Sequence, residues 1–342
     1  MMHLIQPFRR ALDPFVERLN RPPERKFERV FSIVRRLRNH IEGTELGHDQ
    51  ITHLVSELLS YVFAIPVPVP LNTDTRFCRA VQYKDPSGVG YERVSRLSYI
   101  PEGGEVQPSV GRMNANGESV FYACMGAGQN SVQAALSEVR ACPGDVYNIL
   151  ESHVTTESDS YNPTDPSASL NLAPLGLFDY YRRGLPDPYG LHESFPKDKQ
   201  PSPFANGKSS DPPGLPPAYR AVYDYLKGNL EQAGMLSMQL ADAFISDVLR
   251  QKASTLLLYD LTSALSTRIN RDSVCDGIIY PSVQFDGHPN VALKPARVDS
   301  KLKHVQATSV RVLEDYGYGI YKTEELAKGA IFGGCIEWSR AS

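Results

Sequence analysis

Residues suited to handling a phosphorylated nucleotide are concentrated in the segment 111–140. They are a guanidinium (Arg112), an aromatic ring (Tyr122), two glycines (Gly126 and Gly128) and a carboxylate (Glu138). A guanidinium and the free backbone N–H groups of a glycine corner both bind phosphate oxygens. The segment therefore predicts half of a nucleotide-binding site, and the other half must come from elsewhere in the chain.

The same segment predicts a buried strand, a glycine corner and a helix, the order of a dinucleotide-binding fingerprint. Ser131 stands where the third glycine or alanine of that fingerprint belongs, and 140–144 (RACPG) breaks the pattern of a second strand. We therefore expect a glycine corner that faces a phosphate rather than a complete Rossmann fold. Glu138 falls on the apolar face near the C-terminal end of the predicted helix, where a carboxylate opposes the helix dipole. It either pairs with a surface cation or serves as a pocket carboxylate.

Two further candidates lie outside that segment. Arg79 falls inside a predicted strand, where its charge either faces water or lines a pocket. Ser282 follows Tyr280 and Pro281 at the end of an apolar strand, where its hydroxyl either closes a turn or binds a ligand. No G-x-S-x-G surrounds it, so it is not a nucleophile elbow. The histidines form no HExxH or H-x3-H pair, so no metal site is predicted.

The bulk composition restricts the class of protein. The chain has 342 residues, 41% of them hydrophobic, and a net charge of −3, which is typical of a globular protein and gives no reason to expect a nucleic-acid partner. Its five cysteines are scattered and odd in number, which fits a reducing compartment better than a disulfide framework. The apolar run 61–70 is short and broken by prolines, so no membrane span is expected. We expect a cytoplasmic protein.

Hydrophobic spacing predicts the elements that must position these residues. Residues 1–70 form a helical domain whose basic side is either a solvated face or a surface for a partner or an RNA. A linker follows at 66–70, and the chain ends in a mixed tail. The remaining predictions are strands at 75–83, 94–100, 277–283, 291–294 and 304–313, and helices at 217–227, 233–250 and 254–269.

Twelve of the 26 prolines lie in 157–217, which predicts long loops. The strand-forming segments flank this region and are each too small to form a sheet alone. We therefore predict the α+β class: a small all-α unit (1–70) and a second domain (71–342) with a loop-rich and helical insertion at about 155–250 on its surface.

Taken in order along the chain, the candidate blocks resemble the RES-domain family, named for its Arg, Glu and Ser. The matching blocks are FCRAVQ with Arg79, GRMNANGESVFYA with Arg112 and Tyr122, ALSEVR with Glu138, and DGIIYPSVQFDGHPNVALKP with Tyr280, Ser282 and Asn290. The resemblance covers roughly 75–150 and 255–310. The stretch between Tyr122 and Glu138 is longer than in compact members, and the N-terminal helices and the insertion exceed the short members.

The resemblance implies an ADP-ribosyltransferase-like mixed β core and an NAD-consuming toxin or defence effector. NAD would be the substrate, with no separate cofactor, and its nicotinamide N-glycosidic bond would be cleaved by hydrolysis or phosphorolysis. Glu138, Arg79 and Ser282 would be catalytic, and Arg112, Tyr122, Tyr280 and Asn290 would bind the substrate. The resemblance also implies an antitoxin or immunity protein as a partner. Independently of the resemblance, a lid formed by the proline-rich region, or assembly into a homo-oligomer through the N-terminal helices, could restrain such an enzyme.

Two alternatives remain open at this stage. The protein could transfer ADP-ribose to a macromolecular target, as other enzymes with this kind of core do. It could instead be a non-catalytic binding module that acts through its basic N-terminal helices.

Overall fold

In the residues that the structure describes, the strands form one mixed β-sheet with helices on both faces. The computed structural model describes residues 5–21, 26–70, 76–85, 88–104, 106–126, 129–154, 169–183, 217–251, 255–271, 273–282, 284–285 and 288–340. The strands in these ranges are β1 (Val67–Pro70), β2 (Arg76–Tyr83), β3 (Phe121–Gly126), β4 (Val146–Val154), β5 (Ser169–Pro174), β6 (Gly277–Pro281), β7 (Pro289–Leu293), β8 (Leu302–Asp315), β9 (Tyr321–Phe332) and β10 (Cys335–Arg340). The predicted α+β class is confirmed.

The α-helices in the described ranges include those predicted from hydrophobic spacing. They are α1 (Arg9–Asn20), α2 (Lys26–Ile41), α3 (His48–Leu59), α4 (Gln129–Glu138), α5 (Phe178–Arg183), α6 (Pro217–Asn229), α7 (Gln232–Arg250), α8 (Leu256–Asn270) and α9 (Pro295–Lys301). Of these helices, α5 and α9 were not predicted. Within this part of the chain, no helix is long and apolar enough to cross a membrane.

The strands run in the order β1-β5-β6-β7-β3-β2-β4-β8-β9-β10. Only β5 and β6 pair in parallel, and every other pair within the described residues is antiparallel. The two strand blocks recognised in the sequence therefore combine in a single sheet, in which β7 lies next to β3 although the two are far apart in the chain.

Two hydrophobic cores sandwich this sheet. The larger core joins helices α1–α3 and α6–α8 to the sheet. Helix α2, for example, buries Val30, Val34 and Leu37 at helical spacing, and α7 contributes Ile245 and Leu249. The smaller core lies under α4 and is built from residues on β2, β3, β4 and β8. The N-terminal helices thus share a core with the rest of the chain, and the domain boundary at residue 70 stays a prediction.

Four local predictions are wrong. The expected linker contains β1, an edge strand, and an edge is the place in a sheet where prolines are tolerated. Residues 94–100 contain a 3₁₀ turn rather than a strand, because Val94 and Leu97 are buried three positions apart. The tail is not mixed, since it forms β9 and β10. The loops expected over 157–217 are interrupted by a strand, because β5 pairs with both β1 and β6 inside the sheet.

The predicted long loops fall largely on 155–168 and 184–216, which lie outside the described residues.

Candidate functional site

The sheet splits between β2 and β3. These strands pair only where Arg76–Cys78 faces Cys124–Gly126, whereas β2 stays paired with β4 as far as Tyr83. Beyond the split, the carbonyl oxygen of Tyr122 accepts a hydrogen bond of 2.9 Å from Arg79 Nη1 instead of from a neighbouring strand. A cavity of about 240 Å³ opens at this point.

One row of side chains crosses four strands along the cavity. Cys78 on β2 faces Cys124 on β3, which faces Asn290 on β7, which faces Tyr280 on β6. Residues directly opposite one another in a sheet project from the same face. All four therefore lie on one side, and all four line the cavity.

Helix α4 places Glu138 over this row. Ala134, Ala135 and Leu136 pack into the smaller core and hold the helix against β2 and β3. Glu138 is the last residue of the helix, and its side chain lines the cavity together with Ala135. The apolar spacing of α4 thus fixes the position of the only carboxylate that lines the cavity among the described residues.

One oxygen of the Glu138 carboxylate is held by two donors. Its Oε1 accepts hydrogen bonds from Ser282 Oγ at 2.5 Å and from Asn290 Nδ2 at 2.9 Å. Among the described residues nothing donates to its Oε2. The carboxylate is therefore oriented, and one of its oxygens remains available to a ligand.

Ser282 connects the carboxylate to the turn after β6. Its hydroxyl accepts a hydrogen bond of 2.9 Å from the backbone N–H of Phe285 and donates to Glu138. Its own N–H donates to the carbonyl of His288 at 2.8 Å. The serine is buried and closes the turn, which is one of the two alternatives expected for it, and its hydroxyl also orients Glu138. Ligand binding by Ser282 stays a prediction.

Arg79 is a cation without a carboxylate partner in the described part of the chain. Its Nε atom is buried and has no hydrogen-bond partner there. Burial lowers the pKa of the guanidinium to about 10, so it remains protonated at neutral pH. A desolvated charge with no counter-charge is unfavourable, which favours an anionic ligand at this position.

Arg112 is held by the end of a helix. Its guanidinium donates to the carbonyl oxygens of Val248 and Gln251, which close the C-terminal end of α7. A cation at a helix C-terminus is favourable, and burial lowers the pKa of this group. Two of its five N–H donors are thus engaged by the protein, and the residue lines the cavity.

Of the two tyrosines that line the cavity, Tyr122 has its hydroxyl engaged by the protein. Tyr122 accepts from the N–H of Met113 at 2.7 Å and donates to Asn114 Oδ1 at 2.6 Å, so it braces the turn that carries Arg112. Burial raises the pKa of both Tyr122 and Tyr280, and both remain neutral. Tyr122 can therefore offer a ligand its ring rather than its hydroxyl.

All seven residues singled out in the sequence meet at this site: six line the cavity, and Ser282 contacts the carboxylate. The glycine corner contributes differently from what was expected. A Cβ on Gly126 would lie 2.9 Å from Ser131 Oγ and 3.1 Å from His288 Nε2, so the glycine permits close packing. Gly128 lies outside the described residues. Cys78 and Cys124 were missed, because only the strand register brings them to the cavity. His288, whose carbonyl accepts from the Ser282 N–H, was missed as well.

His288 makes a testable contribution to stability. Burial lowers its pKa from 6.5 to about 4 in the folded protein, so in this interval the unfolded chain binds the extra proton. The contribution of the neutral, buried His288 to the free energy of unfolding is complete above pH 6.5. It is lost as the pH falls through about 4, a difference of about 3 kcal/mol. Between pH 7 and pH 4, the free energy of unfolding of the wild type should therefore fall by this amount relative to that of His288→Asn. Urea titrations of both proteins at each pH measure the difference, and a constant gap would contradict the assignment.

No family model, curated protein or solved structure matches this chain. In the part of the chain that the structure describes, no group of three or more His, Cys, Asp or Glu side chains is arranged to hold a metal ion.

Proposed function

We propose that this protein cleaves the bond between nicotinamide and ribose in NAD, with water or inorganic phosphate as the acceptor. The observation that carries the proposal is an oriented carboxylate, Glu138, in the same small cavity as Arg79, a guanidinium without a counter-charge. The resemblance to the RES-domain family, an ADP-ribosyltransferase-like core and a role as a toxin or defence effector belong to the same proposal.

The carboxylate suits the charge that develops in this reaction. In NAD the nicotinamide ring carries a positive charge, and it leaves the ribose as a neutral base. Its departure therefore needs no general acid. The ribose takes on the positive charge of an oxocarbenium ion, as in glycoside cleavage. A carboxylate about 4 Å from that charge offers about 4 kcal/mol at an effective dielectric constant near 20. Glu138 Oε2 is the atom available for this contact.

The guanidinium groups suit the pyrophosphate of the same substrate. Arg79 has one protein hydrogen bond and Arg112 has two in the described part of the chain, so both keep N–H donors for phosphate oxygens. The ring of Tyr122 and the buried Tyr280 would form a flat apolar wall for nicotinamide. The two guanidinium groups would thus contact the pyrophosphate, and the two tyrosines would contact the nicotinamide.

Incubation of the purified protein with NAD, with and without inorganic phosphate, tests the proposal when the products are identified by mass. Free nicotinamide with ADP-ribose indicates hydrolysis, and nicotinamide with ADP-ribose 1″-phosphate indicates phosphorolysis. NAD carrying a label in its adenosine distinguishes transfer, since the label would then appear on macromolecules. Intact NAD under all conditions would overturn the proposal.

The hydrogen bond from Ser282 to Glu138 predicts a coupled pair of variants. Ser282→Ala should lower kcat about tenfold with little change in KM, because the hydroxyl acts through the carboxylate. In a Glu138→Gln background the same change should cost less than about twofold, since interacting residues are not additive.

Ser309→Ala is the matched control for this pair. Ser309 is also a buried serine whose hydroxyl donates a hydrogen bond, but the acceptor is the carbonyl of Val89 outside the cavity. Its kcat should equal that of the wild type. Full additivity of the two site substitutions would contradict the positioning role of Ser282.

A further inference from the structure

The turn between β8 and β9 is built onto the residues that flank Glu138. Gln133 of α4 exchanges two hydrogen bonds with the backbone of Tyr321, at 3.0 and 2.7 Å. A Cβ on Gly319 would lie 2.6 Å from the ring of Phe285 and 2.8 Å from Ser137 Oγ. The turn therefore touches the helix that ends in Glu138 and the loop that begins at Ser282.

Tyr318 at the tip of this turn is not explained by the fold. Its side chain is 96% exposed, so it buries no apolar surface against the described residues. Its φ of 56° lies in the left-handed region, between Gly317 and Gly319 at φ 77° and 78°. A bulky side chain is disfavoured in this conformation, and glycine or asparagine would fit it better. Residues kept in such conformations without a packing reason are concentrated at functional sites.

Tyr318 belongs to a run of exposed apolar residues in this turn, and a further exposed apolar residue lines the cavity. Tyr316 and Ile320 flank it in the turn and are more than half exposed. Val139, which follows Glu138, is exposed and also lines the cavity. Single exposed apolar residues are ordinary, whereas three in one turn that packs on the helix ending in Glu138 favour a binding surface next to the cavity.

We propose that Tyr318 stacks on the adenine ring of the dinucleotide while the nicotinamide end occupies the cavity. This subsite rests on the function proposed above. The cavity of about 240 Å³ falls below the roughly 300–1,000 Å³ of pockets that enclose drug-sized ligands, so a dinucleotide must extend beyond it. The cations inside the cavity would hold the pyrophosphate at its rim, which leaves the adenosine outside. An exposed aromatic ring is the side chain on which a base stacks, whichever base it is.

Nicotinamide mononucleotide separates this subsite from the catalytic site, because it contains the same N-glycosidic bond and lacks the adenosine. Tyr318→Asn removes the ring while suiting the left-handed backbone. It should raise KM for NAD roughly tenfold, the effect of one lost base–aromatic stack, and leave kcat unchanged. KM for nicotinamide mononucleotide should not change, and Tyr318→Phe should restore the wild-type KM for NAD.

Phe332→Ala is the matched control, since Phe332 is an exposed aromatic residue at the opposite end of β9. It should leave KM for both substrates at the wild-type value. An unchanged KM for NAD in Tyr318→Asn, with both substrates cleaved by the wild type, would overturn the subsite alone. If the wild type cleaves neither NAD nor nicotinamide mononucleotide, the proposed function is overturned, and the subsite with it.

Discussion

Glu138→Gln is expected to lower kcat for NAD by about 10²–10³-fold, the loss found when one preorganised group that stabilises transition-state charge is removed. The substitution keeps the size and planarity of the side chain and its acceptor oxygen. Glutamine can therefore still accept hydrogen bonds from Ser282 and Asn290, as Oε1 does in the wild type. What it loses is the negative charge opposite the oxocarbenium ion. KM should change little, since the ground-state ribose carries no such charge.

The rate of nicotinamide release under saturating NAD measures this effect. Glu151→Gln is the matched control, because Glu151 is also a partly buried carboxylate with a hydrogen-bond donor, Arg76, at 2.6 Å, but it lies outside the cavity. The control should keep the wild-type kcat, and both variants should keep the wild-type Tm within about 4 °C. A wild-type rate in Glu138→Gln would remove the carboxylate from the mechanism.

The local elements around the site could be predicted from the sequence because they depend on short-range periodicity. The strand at 121–126 follows from a short continuous apolar run, and the helix at 129–138 follows from the helical spacing of apolar residues. The position of Glu138 on the apolar face near the helix end also pointed to an inward role. The strand, the helix and the position of Glu138 depend on residues close together in the chain, so the sequence alone predicts them.

The arrangement of the site could not be predicted in the same way. The hydrogen bond between Ser282 and Glu138 joins residues 144 positions apart, and it depends on β7 lying between β3 and β6. The place where β2 and β3 separate depends on strand register, for which local sequence holds no signal. The family resemblance identified the candidate site residues. It did not predict that the end of α7 holds Arg112 or that Tyr122 braces a turn.

The proline-rich region shows how composition misled the fold prediction. Leu170 and Leu172 alternate with polar residues over four positions, which is a strand pattern too short to stand out among prolines and serines. The pattern becomes a strand because β6 and β1 offer backbone partners on both sides. Tertiary pairing thus decided the state of a segment whose local composition favoured a loop.

Arg79→Met is expected to separate activity from stability. The variant should lower kcat/KM for NAD by about 10²–10³-fold, because a buried guanidinium that binds an anion typically contributes 2–5 kcal/mol. It should at the same time keep or raise Tm, since replacing a desolvated and unpaired charge by an apolar side chain of similar length is often neutral or stabilising. The lost hydrogen bond to the Tyr122 carbonyl offsets part of that gain, by about 1 kcal/mol.

Arg76→Met is the matched control for this prediction. Arg76 lies three positions earlier on the same strand and pairs with Glu151 at 2.6 Å, half exposed and outside the cavity. Its loss should leave kcat/KM unchanged and cost at most about 1 kcal/mol of stability. If Arg79→Met instead lost activity together with a large fall in Tm, the guanidinium would be serving the split in the sheet rather than a substrate. A stable and inactive Arg79→Met protein would mean that the chain retains an unfavourable charge for the ligand it binds.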